Sequence, residues 1–419
     1  MGTFNRIELV KKVLTAAVLL IGLFALTGAL QPAYAQSCTY WVSPATGNPP
    51  GNDSNAGTQN APWATVQKAF NTATAGQTIC FYGGTYPRVT TNCKNFTEAY
   101  SQCESTSGTA ANPIIFTNIS GQVAVIQGST RINASYITFQ GTPNTTTNCA
   151  SGDTCGLVFE GNQDNATGNV DICCATGVNP QFVKFDHVEI RKGTYHAGLY
   201  EEGCNNTITG SYVHDNGNAT SDPNHTVDNG IYWSRMLTSC TNGGLIANNL
   251  VENNWSKGIQ LYCGGTPPSP ACSTTSPTTI LQNITVEENT SVNNGAYGAV
   301  VYGSSNFFAN NILYNNGNAT SSNQAAVYSF DSTHHHVIDH NITWNTTSST
   351  RRGWYDPNTC NCVTNNLAAD PQFSSPSTLN WHILSSSPAV DFSNQSYVQT
   401  VDHDGMVRPN PADTGAYQH

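Results

Sequence analysis

The run FFANNILYNNG at residues 307–317 decides how this chain is read. Two short apolar runs flank one Asn pair, and a second Asn pair with Gly closes the unit. LIANNLVENN at 245–254 and TVEENTSVNNG at 285–295 share this form. FVKFDHVEIRKG from 182, TITGSYVHDNG from 207 and VIDHNITWNTT from 337 keep its outline. β-Branched and aromatic residues suit strands, whereas Asn and Gly suit sharp turns. Taking His187, Ser211, Asn249, Asn289, Asn311 and Asn341 as equivalent gives steps of 24, 38, 40, 22 and 30. With insertions set aside, the period is 22–24 residues, within the range of solenoid repeats.

A second set of short strands lies between these units: AGLYEE from 197, NGIYW from 229, KGIQLY from 257, YGAVVY from 297 and AAVYSF from 325. Beyond the N-terminal apolar run, only WATVQKAFNTA from 63 has a helical pattern. Short strands, polar turns and a fixed period predict an all-β parallel β-helix, a solenoid. Stacked Asn side chains would bond to backbone and to one another along its axis. Most Asn residues are therefore read as structural, and the Asn-x-Ser/Thr sequons as a by-product of that composition.

The N-terminus carries Arg6, Lys11 and Lys12, then VLTAAVLLIGLFALTGAL, then PAYAQS. A basic start, an apolar run and a small-x-small site predict a signal peptide over 1–35, cut after Ala35, and hence a secreted, extracellular or periplasmic protein. All fourteen cysteines follow it, which predicts disulfides in an oxidising compartment. Cys93–Cys103 and Cys263–Cys272 are short-loop candidates. Without residues 1–35 the chain keeps 12 basic and 25 acidic residues, a formal charge of −13. Such a surface excludes nucleic acid and anionic lipid as natural partners. Only 10% of residues are charged, but 38% are hydrophobic, enough to build a core.

The repeat contains an echo. HDNGNATS at 214–221 returns as YNNGNATS at 314–321, with His214-Asp215 where Tyr314-Asn315 stand later. Stacking the Gly-led strands puts Asp228-Asn229-Gly230 beside Ser256-Lys257-Gly258 and beside His196-Ala197-Gly198. It also puts His214-Asp215 beside Glu252-Asn253 and then Val292-Asn293. Adjacent coils sit ~4.8 Å apart, so His196, His214, Asp215, Asp228, Glu252 and Lys257 come from three neighbouring coils. The first copy of the turn is thus expected inside a polar cluster and the second outside it. Insertions at 218–227 and 263–279 interrupt these coils, where function is often carried. HHHVIDH at 334–340 is read as a solvated strand edge rather than a metal site. No Gly-x-Ser-x-Gly elbow and no phosphate loop is present.

Residues 41–87, from WVSPATGNPPGNDSNAG to GGTYP, resemble the opening segment of secreted right-handed β-helix proteins of the pectate-lyase-like superfamily. DPQFSSPSTLNWHILSSSPAVDFS at 370–393 and VDHDGMVRPNPADTGAYQ at 401–418 resemble their closing segment. The resemblance implies an opening and capping segment at 36–111, coils over 112–369 and a closing segment at 370–419. It also implies a monomer acting on polysaccharide. Some members are calcium-dependent lyases with a lysine base beside aspartates. On that pattern Lys257 is the base, His214 assists it, and Asp215, Asp222 and Asp228 hold Ca²⁺. His196, Tyr232, Trp233 and Glu252 would bind substrate. The Asp-Asp-Gly-Phe-Asp run of those lyases is replaced here by VDNGIYW. Polygalacturonase-type Asp pairs, Gly-His-Gly and Arg-x-Lys are absent. Two further readings stand beside the lyase. One is a glycoside hydrolase using two carboxylates among Asp215, Asp228 and Glu252. The other is a non-catalytic carbohydrate-binding solenoid with Trp233 and Trp255 as stacking surfaces.

Overall fold

A computed structural model describes residues 37–89, 100–141, 155–161, 168–173, 180–234, 236–237, 243–262, 279–303, 305–317, 326–330, 336–355 and 363–419. Among these residues, short strands repeat in threes. The first sheet pairs eleven strands from Tyr40–Val42 to Val363–Thr364. The second pairs nine from Gly84–Tyr86 to Ile342–Trp344, and the third nine from Gln102–Glu104 to Trp354–Tyr355. Each strand pairs in parallel with its counterpart one coil away, so the chain is a right-handed parallel β-helix. Pairing already includes Thr78–Phe81 and Gln102–Glu104, so coils reach into the segment assigned above to capping.

Alternation along each strand sends one residue in and the next out. Ile246, Val286, Phe308 and Ile338 stack inward from the first sheet, opposite Val251 and Leu313 of the second and Ile231, Ile259 and Val327 of the third. At the mouth of this core, the helix Val66–Thr72 lays Phe70 edge-on to Phe116, with ring centroids 4.9 Å apart. Asp53 fixes the start of that helix by accepting from the Ala64 and Thr65 amides at 2.8 and 3.0 Å. Cys38 and Cys80 close a disulfide across the first two strands of the first sheet.

Asn side chains run along the axis at two turns. Asn249, Asn289, Asn311, Asn341 and Asn366 form one ladder, each Oδ1 accepting the backbone and side-chain N–H of the Asn before it at 2.8–3.0 Å. Asn216, Asn254, Asn294 and Asn316 form the second. Ser211 takes the first ladder one coil down, and the Val188 amide donates to its Oγ at 3.2 Å. Val188, not His187, therefore stands at that rung. His187 occupies the preceding left-handed position, φ 53°, which Asn248, Asn310 and His340 fill in later coils. The echo resolves the same way. His214, Glu252, Val292 and Tyr314 share one register column, so the two copies of the turn are stacked, with two coils between them. His336 is buried and accepts the Asn306 amide through Nδ1 at 3.1 Å, replacing an Asn rather than forming a solvated edge; His334 and His335 lie outside the described residues.

The closing segment lies on the outer face of the second sheet. Phe373, Trp381, Ile383 and Tyr417 cover Leu250, Val292, Ile312 and Ile342. Arg408 donates to Asn248 Oδ1 at 2.8 Å and pairs with Glu288 at 3.2 Å, while Asn310 donates to Asn394 O at 3.0 Å. Asp402 and Asp413 are spent on backbone amides of this segment. Cys103, Cys155 and Cys204 are also disulfide-bonded. Cys93, Cys263 and Cys272 lie outside the described residues, as does the expected signal peptide. No helix among the described residues is long and apolar enough to cross a membrane.

Candidate functional site

From Thr207 onward, connections between first and second sheet stay at two residues: 210–211, 248–249, 288–289, 310–311 and 340–341. In these same coils the longer connections open around the third sheet. Residues 215–228 lead into Asn229–Trp233. After that strand, Met236–Leu237 pairs antiparallel with Thr279–Ile280, at the rim. A rigid sheet framed by long loops is the usual seat of a site.

The outward column of this sheet reads Arg131, Asp171, Tyr200, Tyr232, Gln260 and Val300 in strict register. Tyr200 and Tyr232 meet edge to face at 5.3 Å, and the His196 ring lies 5.4 Å from each. Tyr262 continues the cluster, 4.9 Å from Tyr302. The Tyr200 hydroxyl donates to Glu202 at 2.6 Å; burial, then this carboxylate, push its pKa up. Arg131 binds Asp171 at 2.5 Å and Tyr100 at 2.7 Å. His196 and Tyr232 thus come together, with Tyr232 and Tyr200 each only 8% exposed. Tyr200, Gln260, Tyr262 and Tyr302 were not singled out from sequence, although extending the alignment of AGLYEE, NGIYW, KGIQLY and YGAVVY finds them.

Lys257 stands at the leading edge of this sheet, aligned with Asn229 on one side and Tyr297 on the other. Its ammonium donates to the Thr226 carbonyl in the insertion. Burial pulls its pKa down to about 8, opposed by the charge of Asp222. Trp255, one coil above Val227, stacks on His225 at 4.2 Å and donates to Asp222 O at 2.6 Å.

Several expected roles fail on geometry. Trp233 is 0% exposed and points into the core, donating to Gly203 O at 3.1 Å, so it offers no face to a sugar. Alternation sends Tyr232 out and Trp233 in. Glu252 is 3% exposed beneath the closing segment, accepting from Tyr212 at 2.9 Å and Trp381 at 3.2 Å. It is not open to substrate. Asp228 is wholly buried and accepts from the His196 and Asn218 amides and from Ser221. Asp222 accepts from the Val227 and Asp228 amides at 2.7 and 3.1 Å and from Thr226 at 2.9 Å. Burial works against the charge of Asp222, but these donors hold its pKa below the usual value. Both aspartates shape the insertion. Asp215 instead bonds His214 at 2.8 Å and Asn253. The three do not fit a Ca²⁺ site, and among the described residues no group of three His, Cys, Asp or Glu could hold a metal. The carboxylate pair of the hydrolase reading fails for the same reason, since Asp228 and Glu252 are buried and spent.

His214 belongs to the second sheet. Its Nδ1 and Nε2 face Asp215 at 2.8 Å and Glu189 at 3.1 Å, and its ring stacks on Tyr212 at 3.8 Å. Burial disfavours its charge, yet the two carboxylates outweigh that and raise its pKa. No hydrogen bond or ion pair among the described residues joins it to Lys257.

The three parallel sheets define the fold class, a right-handed parallel β-helix, with a candidate site framed on its third sheet. A family model described as a protein of unknown function (DUF1565) matches residues 50–95. Among solved structures, the chain is similar to the pectate lyase Pel9A, at 14% identity and TM-score 0.51, covering 91% of this chain and 97% of that one. Looser likenesses include a rhamnogalacturonan lyase, at 15% identity and TM-score 0.39, covering 74% and 69%. Another is the Azotobacter vinelandii mannuronan C-5 epimerase AlgE4 A-module, at 17% and 0.35, covering 70% and 85%. No curated protein matches the sequence.

Proposed function

We propose that this chain is an exported carbohydrate-active protein that lays a uronate-containing polysaccharide along the outer face of the third sheet and cleaves it by β-elimination. The observation that carries the reading is one sheet edge. It brings together the partly exposed rings of Tyr195, His196, Tyr262 and Tyr297 over the buried Tyr200 and Tyr232, a framing insertion and a lysine whose pKa is about 8. Aromatic faces stack on the apolar faces of sugar rings. A lysine lowered this far is partly neutral near pH 8 and can act as a base. In the proposed step the neutral Lys257 amine takes the proton from C5. The electron pair left behind forms the C4=C5 double bond, the bond from C4 to the glycosidic oxygen breaks, and that oxygen leaves by taking a proton from water, while the Lys257 ammonium later returns its proton to solvent. No step is routed through Ca²⁺, for which no ligand set is built here.

The bond from Lys257 to the Thr226 carbonyl favours a second reading, in which the lysine fastens the insertion and the Tyr face only binds polymer. One experiment separates the two. Polygalacturonate, rhamnogalacturonan, alginate and a neutral galactan are incubated with the protein, with calcium and with chelator. Ultraviolet absorbance reads unsaturated ends, and affinity electrophoresis reads binding. The lyase reading expects absorbance that Lys257→Ala and Lys257→Arg both abolish, because a guanidinium does not give up its proton. Binding with no new absorbance supports the second reading. If nothing on the panel is bound or cleaved, the polysaccharide reading falls.

A further inference from the structure

We propose that Arg352 binds a carboxylate of the polyuronate, at the far end of the sheet edge that carries Lys257. The inference rests on the polysaccharide reading above and adds the residue that recognises the charge of the polymer. Lys257, Tyr297 and Arg352 each stand two positions ahead of residues that follow one another in register: Ile259, Ala299 and, past Val327, Trp354. They share one edge of the third sheet, with Arg352 three coils, or ~14 Å of strand spacing, from Lys257. The guanidinium carbon of Arg352 lies 3.5 Å from the centre of the Trp344 ring, and its Nε donates to Asn345 O at 2.8 Å. The turn beneath is tied down. Asn345 Oδ1 accepts the Thr347 and Ser348 amides at 3.0 and 2.9 Å, and its Nδ2 donates to Asn316 O at 2.9 Å. Thr343 Oγ1 donates to Arg352 O at 2.6 Å.

The two terminal nitrogens are left over. Among the described residues nothing bonds to Nη1 or Nη2 of Arg352, and both Arg352 and Trp344 are partly exposed. Arg131, Arg191 and Arg408 each pair with a carboxylate. Arg352 has no such pair among the described residues, although 25 acidic residues face 12 basic ones beyond residue 35. A loose surface arginine must give up rotamer freedom to bind, whereas this one is already fixed by an indole ring and a carbonyl. Two coplanar N–H donors match the two oxygens of a carboxylate. An acidic surface repels a polyuronate in general. A pre-set cation on the edge where the polymer would lie gives the chain a place to hold one. The ligand is a uronate carboxylate some way along the polymer from the ring at Lys257, so Arg352 acts in binding and not in the chemical step.

The test compares wild type with Arg352→Gln and Arg352→Lys in affinity electrophoresis on polygalacturonate and alginate, at low and high salt, with thermal unfolding alongside. A charge-assisted hydrogen bond lost from a binding site corresponds to roughly tenfold weaker binding. Arg352→Gln is expected to bind a polyuronate about tenfold more weakly at low salt while melting close to wild type, and the gap should narrow as salt screens the charge. Arg352→Lys keeps the charge without the planar fork and should recover only part of the loss. Unchanged affinity in Arg352→Gln at low salt overturns the proposal while leaving polysaccharide binding intact. A loss of equal size at both salt strengths also overturns it, because the arginine would then act only by holding its turn. Full wild-type affinity in Arg352→Lys overturns it too, since the fork would count for nothing. If wild type binds neither polyuronate, the uronate reading itself falls, and this subsite with it.

Discussion

Replacing Asn289 by Ala should destabilise the coil stack far more than a surface change. The side chain is 0% exposed. Its Oδ1 accepts the Asn249 amide at 3.0 Å and the Asn249 Nδ2 at 2.9 Å. Its Nδ2 donates to Ile246 O, Glu287 O and Asn311 Oδ1 at 2.9, 3.0 and 2.9 Å. Truncation strips a partner from three backbone groups and two amides in a space that water does not reach. An unmade buried hydrogen bond costs ~1–3 kcal/mol per group, and neighbouring losses in one network are not additive, so about 3–5 kcal/mol is expected. Asn366 is the control. It makes four analogous bonds at the last rung, but it is partly exposed, so water replaces much of what Asn366→Ala removes and about 1 kcal/mol is expected. Urea unfolding followed by circular dichroism measures both. Equal costs at Asn289 and Asn366 would refute the argument that burial of the ladder, rather than the number of its bonds, sets its worth.

Three further outcomes follow from the site. With Lys257 lowered to about 8 from 10.5, its charged form burdens the fold at neutral pH, and stability should rise with pH between those values; Lys257→Met should flatten that slope in melting curves, and any elimination rate should climb through about pH 8. His214, raised above 6.5, contributes stability that is complete below that value and fades as pH climbs through the raised one. The melting-temperature gap between wild type and His214→Gln should therefore be widest in acid and close in base. Asp228→Ala removes the acceptor of His196 N, Asn218 N and Ser221, so limited proteolysis should cut within 218–227 faster while the stack survives; an unchanged cleavage rate would deny that this carboxylate holds the insertion.

The solenoid was legible because its Asn residues recur at a turn that every coil must make, and the ladder leaves those positions little choice. The register of Lys257 with Asn229, and of His214 with Glu252, followed from the same alignment. It slipped by one at His187, where no Asn marks the rung and Val188 stands instead. The roles of the carboxylates were not legible. Asp222 and Asp228 look like metal ligands in a string of letters, yet their oxygens are taken by amides of an irregular loop, whose path no periodicity encodes. Trp233 was misread for a simpler reason: two adjacent aromatics in a strand face opposite ways, and only one can meet a ligand.

The closing segment's grip has a mechanical consequence. A stack of coils resembles a one-dimensional chain, in which terminal repeats can fray one at a time. Here Arg408 and its segment reach Asn248, Glu288 and Asn310, three successive rungs, from outside. A splint laid across rungs makes them give way together. The first event in taking this protein apart should then be peeling of the tail rather than unwinding of a coil. A chain shortened before Asn394 would keep every strand yet lose the bonds to these rungs that let them fail only as a unit.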